Sequence, residues 1–279
     1  MKLSEITCDA IWERLKPAYM SARDKNDWIR TADQFYEKTH FPNCIGAVDG
    51  KHIMIRKTNE NGSQFFNYKN FFSTVLMAVA DADYCFISVE VGAYGSSDSV
   101  FKNSTFGKLL ESNKLNIPDP TVLPSDAGLS MSFVLVGDEV FALSAHVLRP
   151  YPNKKVTFLK RIYNYRLSRA RRIVECTFGI LANKWRIFHR SIEVKPDFCD
   201  IIKACCVLHN YVRKNDGIQF DDTLYECPLE SVEPVGTRGS VRILQISVAV
   251  FFQFLLYKGG LLSTSHINFS MSSTIDIAV

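Results

Sequence analysis

The eight cysteines of this 279-residue chain form no CxxC pair, so neither a paired-thiolate zinc module nor a dithiol redox motif is written into it. No secretory leader is expected, because Glu5 and Asp9 stand where its apolar stretch would lie. Together these point to a reducing, intracellular compartment. Long apolar runs are scarce. The one at Ile243 to Tyr257 is 15 residues long and holds Gln245, Ser247 and Gln253, short of the roughly 20 residues of a membrane-spanning helix. No membrane partner is expected. There is no Gly-rich phosphate loop, no Ser-His-Asp pattern and no internal repeat. Apolar residues at 47% and charged residues at 22% exclude a wholly disordered, collagenous or coiled-coil chain.

What is present changes character along the chain. Ile11, Trp12, Leu15 and Tyr19 recur at helical spacing, and the run Trp28 to Phe35 repeats it, which predicts a helical segment over 1–40. From Phe41 the period changes, and Ile45–Ile55, Phe71–Ala80 and Tyr84–Val91 read as three consecutive strands. A helix is expected over 99–110 with Asp98 as its N-cap. Phe133 to Val136 reads as a buried strand ending at Gly137-Asp138, followed by helices over 158–185 and 198–213. This is an α/β or α+β domain over 41–214. Residues 215–279 differ. Six acids and no Lys or Arg lie between Asp216 and Glu233, the composition of a solvated linker, and a Ser/Thr-rich end follows the apolar run.

The net charge of +4 hides an uneven distribution. Eleven basic residues and a single acid, Glu175, lie between Lys154 and Arg190, so that window carries +10 and the remainder −6. Arg166, Arg169, Arg171 and Arg172, interleaved with Tyr163 and Tyr165, read as a polyanion-binding helix; the plainer reading is a solvated basic face.

Four carboxylates stand out, each with a plain alternative. Asp49-Gly50 lies between apolar runs, the signature of a tight hairpin turn. Asp98 suits a helix cap. Asp138 follows a buried strand, where α/β folds place ligands. Glu175 lies mid-helix, in reach of an ion pair with Arg171 or Arg172. As a set, acids from a first strand, a later strand end and a following helix can converge, and carboxylates suit Mg²⁺ or Mn²⁺. Asp126 mimics the strand-end motif but precedes the apolar run and is set aside. Cys205-Cys206-Val207-Leu208-His209 lacks a second ligand pair and reads as core packing.

The order of blocks is more specific than any one of them. Phe41-Pro42-Asn43-Cys44-Ile45-Gly46-Ala47-Val48-Asp49-Gly50-Lys51-His52-Ile53 opens the series. Phe66-Asn67-Tyr68-Lys69-Asn70, Gly95-Ser96-Ser97-Asp98, Val136-Gly137-Asp138-Glu139, Leu148-Arg149-Pro150-Tyr151-Pro152, Tyr163 to Leu181, Lys184-Trp185-Arg186 and Ala204 to Tyr211 follow. The series resembles the PIF/Harbinger-type DDE transposases and the nucleases derived from them.

That resemblance implies an RNase H-like mixed sheet flanked by helices and a DNA endonuclease that uses Mg²⁺ or Mn²⁺. It places the catalytic triad on Asp49, Asp138 and Glu175, with Asp98 as a further metal ligand and Lys69 beside the arginines at DNA phosphate. Relatives carry a longer helical region before the first block; here about 40 residues precede it, which implies that DNA targeting is lost or delegated. A separate Myb-like DNA-binding protein is the implied partner and the nucleus the implied compartment, with the cytoplasm as a second one. The tail over 215–279 does not match the family. The alternative function is a non-cutting DNA- or protein-binding derivative, and a weaker one is a ribonuclease on the same core.

Overall fold

A computed structural model describes residues 2–56, 71–93, 96–123, 130–152, 157–193 and 198–215. Lys69, the acidic stretch and the apolar run Ile243 to Tyr257 lie outside the described residues. The chain begins with helices α1 (Lys2–Tyr19) and α2 (Lys25–Thr39). A reciprocal cap starts α2, the Asp24 side chain accepting from Asp27 N–H at 2.7 Å and the Asp27 side chain accepting from Asp24 N–H at 3.2 Å. Its Trp28, Ala32 and Phe35 are buried on one stripe, and His40 ends it in the left-handed region at φ 56°.

Three antiparallel strands follow: β1 (Cys44–Arg56), β2 (Ser73–Ala80) and β3 (Phe86–Ala93). The Asp49-Gly50 pair does not turn. β1 passes through it unbroken, because Asp49, Gly50 and Lys51 pair in register with Ala78, Met77 and Leu76 of a wholly buried β2. Tertiary pairing overrides the local turn signal.

The helix expected over 99–110 is two helices, α3 (Ser97–Asn103) and α4 (Thr105–Glu111). Ser104 divides them. Its extended backbone ends one helix, and its hydroxyl accepts from Gly107 N–H at 3.0 Å to start the next. Gly107 is required there, since a Cβ would lie 2.1 Å from the Phe101 carbonyl oxygen. The cap of α3 is Ser96 rather than Asp98, whose place is the first turn.

A small ribbon of β4 (Thr121–Val122) and β5 (Ser130–Met131) precedes the buried β6 (Val134–Val136) and β7 (Val147–Leu148). Then come the long α5 (Phe158–Lys184), a short 3-10 turn, β8 (Ile192–Glu193) and α6 (Phe198–Asn215). The main sheet runs β3-β2-β1-β6-β7, with β6 and β7 parallel to β1 and β8 paired to the far end of β1. It is a mixed sheet flanked by helices, the α/β architecture the sequence led one to expect.

Side chains on one face of the sheet, including Ala47, Ile53 and Val136, share a core with Leu167, Val174 and Phe178 of α5 and Val207 of α6. The other face, with Val48 and Leu135, packs on Phe101 of α3 and Phe106 of α4. Among the described residues no helix is long and apolar enough to cross a membrane.

Candidate active site

The site forms where β1 loses a neighbour. β6 pairs with β1 from Cys44 to Ala47, and β8 pairs only at Ile55 and Arg56. Asp49 and Asp138 each stand two residues beyond the last parallel pair, Ala47 with Val136. Because strand side chains alternate, Asp49 keeps the face of Ala47, the face covered by α5, and Asp138 is near enough for its charge to act on the Asp49 carboxyl. Burial along β1 changes at the same point, from a fully buried stretch over Cys44–Val48 to half-buried residues from Asp49.

Glu175 comes from α5. Val174 and Phe178 of that helix are buried against the sheet, which leaves Glu175 at the margin beside them. Arg171, one turn earlier, holds its carboxylate at 2.8 Å, so the expected ion pair is formed, and with Arg171. The three acids sense one another. Burial is the main reason the Asp49 carboxyl is pushed up to about 6, and the charges of Asp138 and Glu175 push it the same way. The Gly50 N–H, which donates to Asp49 Oδ1 at 2.7 Å, and the Arg171 guanidinium act against that rise.

Asp138 sits in a tight turn, its Oδ1 accepting from Val140 N–H at 3.0 Å. The preceding Gly137 has no room for a side chain, as a Cβ would stand 2.8 Å from the Phe141 ring and 3.2 Å from Val48. Gly50 plays a similar part beside Asp49, where a Cβ would meet Ser97 Oγ at 3.0 Å. Each of the two strand carboxylates is therefore flanked by a glycine that lets neighbouring elements close in.

Asp98 lies on α3, which packs on the other face of the sheet. Its carboxylate accepts from Ala142 N–H at 2.8 Å and from Lys102 Nζ at 2.8 Å. Burial raises its pKa, and these two contacts outweigh that, so it is held below the usual carboxylate value. The structure thus brings Asp49, Asp138 and Glu175 together and ties Asp98 to the loop that follows Asp138. Arg149 braces the same loop, donating to the carbonyls of Glu139 and Phe141 at 3.2 and 3.3 Å.

The basic helix divides its arginines. Arg166 is buried beside Tyr36 of α2, and Arg169 donates to the Lys38 carbonyl at 2.8 Å. These two anchor α5 to α2. Arg171 and Arg172 are half-buried, with Arg171 beside the carboxylates.

Lys51 enters the sequence reading only as a member of the first block. It lies on the same strand face as Asp49, half-buried, with its ammonium 5.9 Å from the centre of the Phe178 ring. The alternation along β1 was the available signal. Arg149 had no signal of its own, since its role depends on a loop conformation.

Three carboxylates with no thiol or imidazole among them form a hard oxygen donor set of the kind Mg²⁺ and Mn²⁺ take. A cation would relieve the mutual repulsion that raises Asp49. Among the described residues no three such groups already close around one point, and Arg171 engages Glu175 Oε1, so a cation would compete with Arg171 for that carboxylate. The donor chemistry fits a divalent metal. Two cavities, of about 230 and 400 Å³, lie beside β3 and α1 and touch none of the four acids.

The CxxH segment is core, as its sequence suggests. Cys205, Cys206 and His209 are buried, and His209 Nε2 lies 2.7 Å from the Tyr84 carbonyl oxygen.

Comparison with known proteins gives the family of the domain that carries these acids. The family model described as DDE superfamily endonuclease matches residues 48–210, a span that contains all four acids. An Arabidopsis thaliana protein named ALP1-like is 32% identical over 212 residues, covering 73% of this chain and 51% of that one. The mouse protein HARBI1, named as a candidate nuclease, is 29% identical over 182 residues, covering 64% and 48%. The Arabidopsis protein named Antagonist of like heterochromatin protein 1 is 26% identical over 210 residues, covering 73% and 52%. The chain spans about half the length of the curated relatives it matches. No solved structure matches it.

Proposed function

This chain belongs to the DDE superfamily endonuclease family, and from that premise we propose that it cleaves DNA phosphodiester bonds with divalent metal at Asp49, Asp138 and Glu175. The observation that carries the reading is the placement of Asp49 and Asp138 two residues past the Ala47–Val136 pair, with Glu175 close enough to raise the Asp49 pKa. Mg²⁺ or Mn²⁺ held there supplies a lowered pKa for an attacking water or 3′-hydroxyl and positive charge for the departing oxyanion.

The chain's own residues prepare that site. Asp49 must give up its proton to ligate, and its raised pKa sets the pH at which it does so. Arg171 keeps Glu175 neutralised until a cation competes for it. Asp98 and Arg149 hold the loop that carries Asp138, and Gly50 and Gly137 admit the packing that fixes both strand acids. Arg171, Arg172 and Lys69 contact DNA phosphate, while Arg166 and Arg169 support that surface through α2. Nuclear localisation and a Myb-like DNA-binding partner belong to the same reading, as does targeting supplied by that partner.

A non-cutting DNA- or protein-binding derivative is the second reading. The Arg171–Glu175 ion pair favours it, because a basic side chain already neutralises one of the three acids.

The deciding experiment measures Mn²⁺ binding and plasmid nicking side by side for the full chain and its Asp138→Asn variant. The nuclease reading expects metal-dependent nicking that the variant loses while it stays folded and keeps its DNA affinity. Mn²⁺ binding with no nicking, even with excess DNA, would favour the non-cutting derivative. A folded chain that binds no Mn²⁺ would overturn the metal-dependent mechanism.

A further inference from the structure

Lys51 presents an unusual combination. It is a half-buried lysine in the middle of a sheet strand, two residues along from Asp49 and on the same face. Its stem crosses toward α5, where the ammonium lies 5.9 Å from the centre of the Phe178 ring. Phe178 is one helical turn beyond Val174 and three residues beyond Glu175, so the ammonium borders the carboxylate cluster from the side of α5. Among the described residues the ammonium makes no ion pair; its contact is the ring. Burial holds the Lys51 pKa below its ordinary value, outweighing the Asp49 charge that acts on this ammonium, and a cation–ring contact returns only about 0.5–2 kcal/mol.

A plain structural role fits poorly. A lysine kept as counter-ion for Asp49 would approach its carboxylate, as Arg171 approaches Glu175 at 2.8 Å. A lysine kept for its stem alone would be replaceable by the Ile and Val residues that fill the rest of this face. What remains is an ammonium aimed at the margin of a site whose substrate is an anion. It is also attached to the central strand rather than to a surface loop, which fixes its position relative to Asp49.

We propose that Lys51 is a substrate-contacting residue of this site: its ammonium takes a non-bridging oxygen of the DNA phosphate that lies over Asp49 and so seats the phosphodiester to be cut. The inference rests on the DNA-cleaving reading of Asp49, Asp138 and Glu175 and adds to it the residue that registers the backbone. Until a cation is bound, positive charge at this point offsets the repulsion between three acids of one sign and the approaching phosphate. The arginines of α5 neutralise the backbone in general, whereas Lys51 acts at one phosphate.

The test measures duplex-DNA affinity of the full chain in EDTA, by fluorescence anisotropy, over about 50 to 200 mM salt. Each phosphate contact contributes about 0.9 to the slope of log K against log salt. Lys51→Met keeps the stem and removes the charge, so it should make the slope shallower by about one contact and weaken binding roughly 5- to 10-fold at low salt. Lys51→Arg should restore the slope. Lys51→Gln serves if the Met variant fails to fold, as judged by thermal unfolding.

An unchanged slope in folded Lys51→Met or Lys51→Gln overturns the inference, whatever the nicking result. A lowered slope in a chain that binds DNA but does not nick supports the phosphate contact and overturns the nuclease reading. A chain that binds no DNA at all overturns both. Where nicking occurs, Lys51→Met should raise KM for DNA and Lys51→Arg should recover it, a split that loss of packing alone would not produce.

Discussion

The Asp98 carboxylate accepts the backbone N–H of Ala142 at 2.8 Å, and this one contact links a helix on one face of the sheet to the loop that leaves β6 with Asp138. Its other partner, Lys102, completes the pairing one turn along α3. An acid that resembles a metal ligand in sequence is therefore also placed to position one. The two roles make different predictions.

As a positioning residue, Asp98→Ala should cost about 1–2 kcal/mol of stability through the lost charge-assisted hydrogen bond. It should slow nicking while leaving the number of bound Mn²⁺ ions unchanged. Isothermal titration with Mn²⁺ alongside thermal unfolding checks this. Loss of a bound ion at unaltered stability would show a ligand role instead.

Asp49 gives a pH prediction with a definite sign. Its folded pKa of about 6 lies above the value of 3.8 for an unperturbed carboxyl, so between those values the folded state binds more protons than the unfolded one. Unfolding free energy then falls as pH rises through this window, by about 2–3 kcal/mol in metal-free protein. Asp49→Asn should raise the metal-free melting temperature at neutral pH, and the gain should vanish below about pH 4. A variant less stable than the parent at neutral pH would contradict the burial and repulsion that raise Asp49.

The same ionisation governs activity. Mn²⁺ affinity and nicking should both decline as pH drops through about 6, since a protonated Asp49 is a poor ligand. A pH profile flat down to about 5, for a chain that nicks at neutral pH, would remove Asp49 from the ligand set.

Gly137→Ala introduces a Cβ 2.8 Å from the Phe141 ring, which is held between Phe101 and the strand and cannot easily withdraw. Overpacking should cost about 1–3 kcal/mol and displace Asp138, reducing Mn²⁺ affinity in the folded fraction. The pair Gly137→Ala with Phe141→Leu should recover part of both losses if the clash is the cause.

Arg171→Gln should change stability by less than about 1 kcal/mol, because its pair with Glu175 is partly exposed. Mn²⁺ binding should tighten as Glu175 is released, and DNA affinity should fall. Weaker Mn²⁺ binding in this variant would mean that Arg171 positions Glu175 for the ion rather than competing with it.

The sequence by itself determined β1, β2, β3, β6 and the long basic helix, and it singled out the four acids, because those features rest on local runs and on blocks of residues read in order. Short apolar runs such as Phe71–Ala80 and Phe133–Val136 and the helical spacing of Ile11, Trp12, Leu15 and Tyr19 report burial wherever the chain folds. The packing of Cys205, Cys206 and His209 was legible for the same reason. Tertiary structure decided what local signals left open or pointed away from. Asp49-Gly50 is strand rather than turn because β2 pairs across it, and no local rule carries the free energy of that pairing. Arg166 and Arg169 belong to α2, while Arg171 belongs to the carboxylates, although all four arginines look alike in a charge count. Asp98 meets Ala142 across 44 positions of sequence, and Lys51 faces Phe178 only because α5 crosses β1. Charge and periodicity are properties of a segment, whereas partnership depends on which segments meet, and that is fixed only when the sheet closes against its helices.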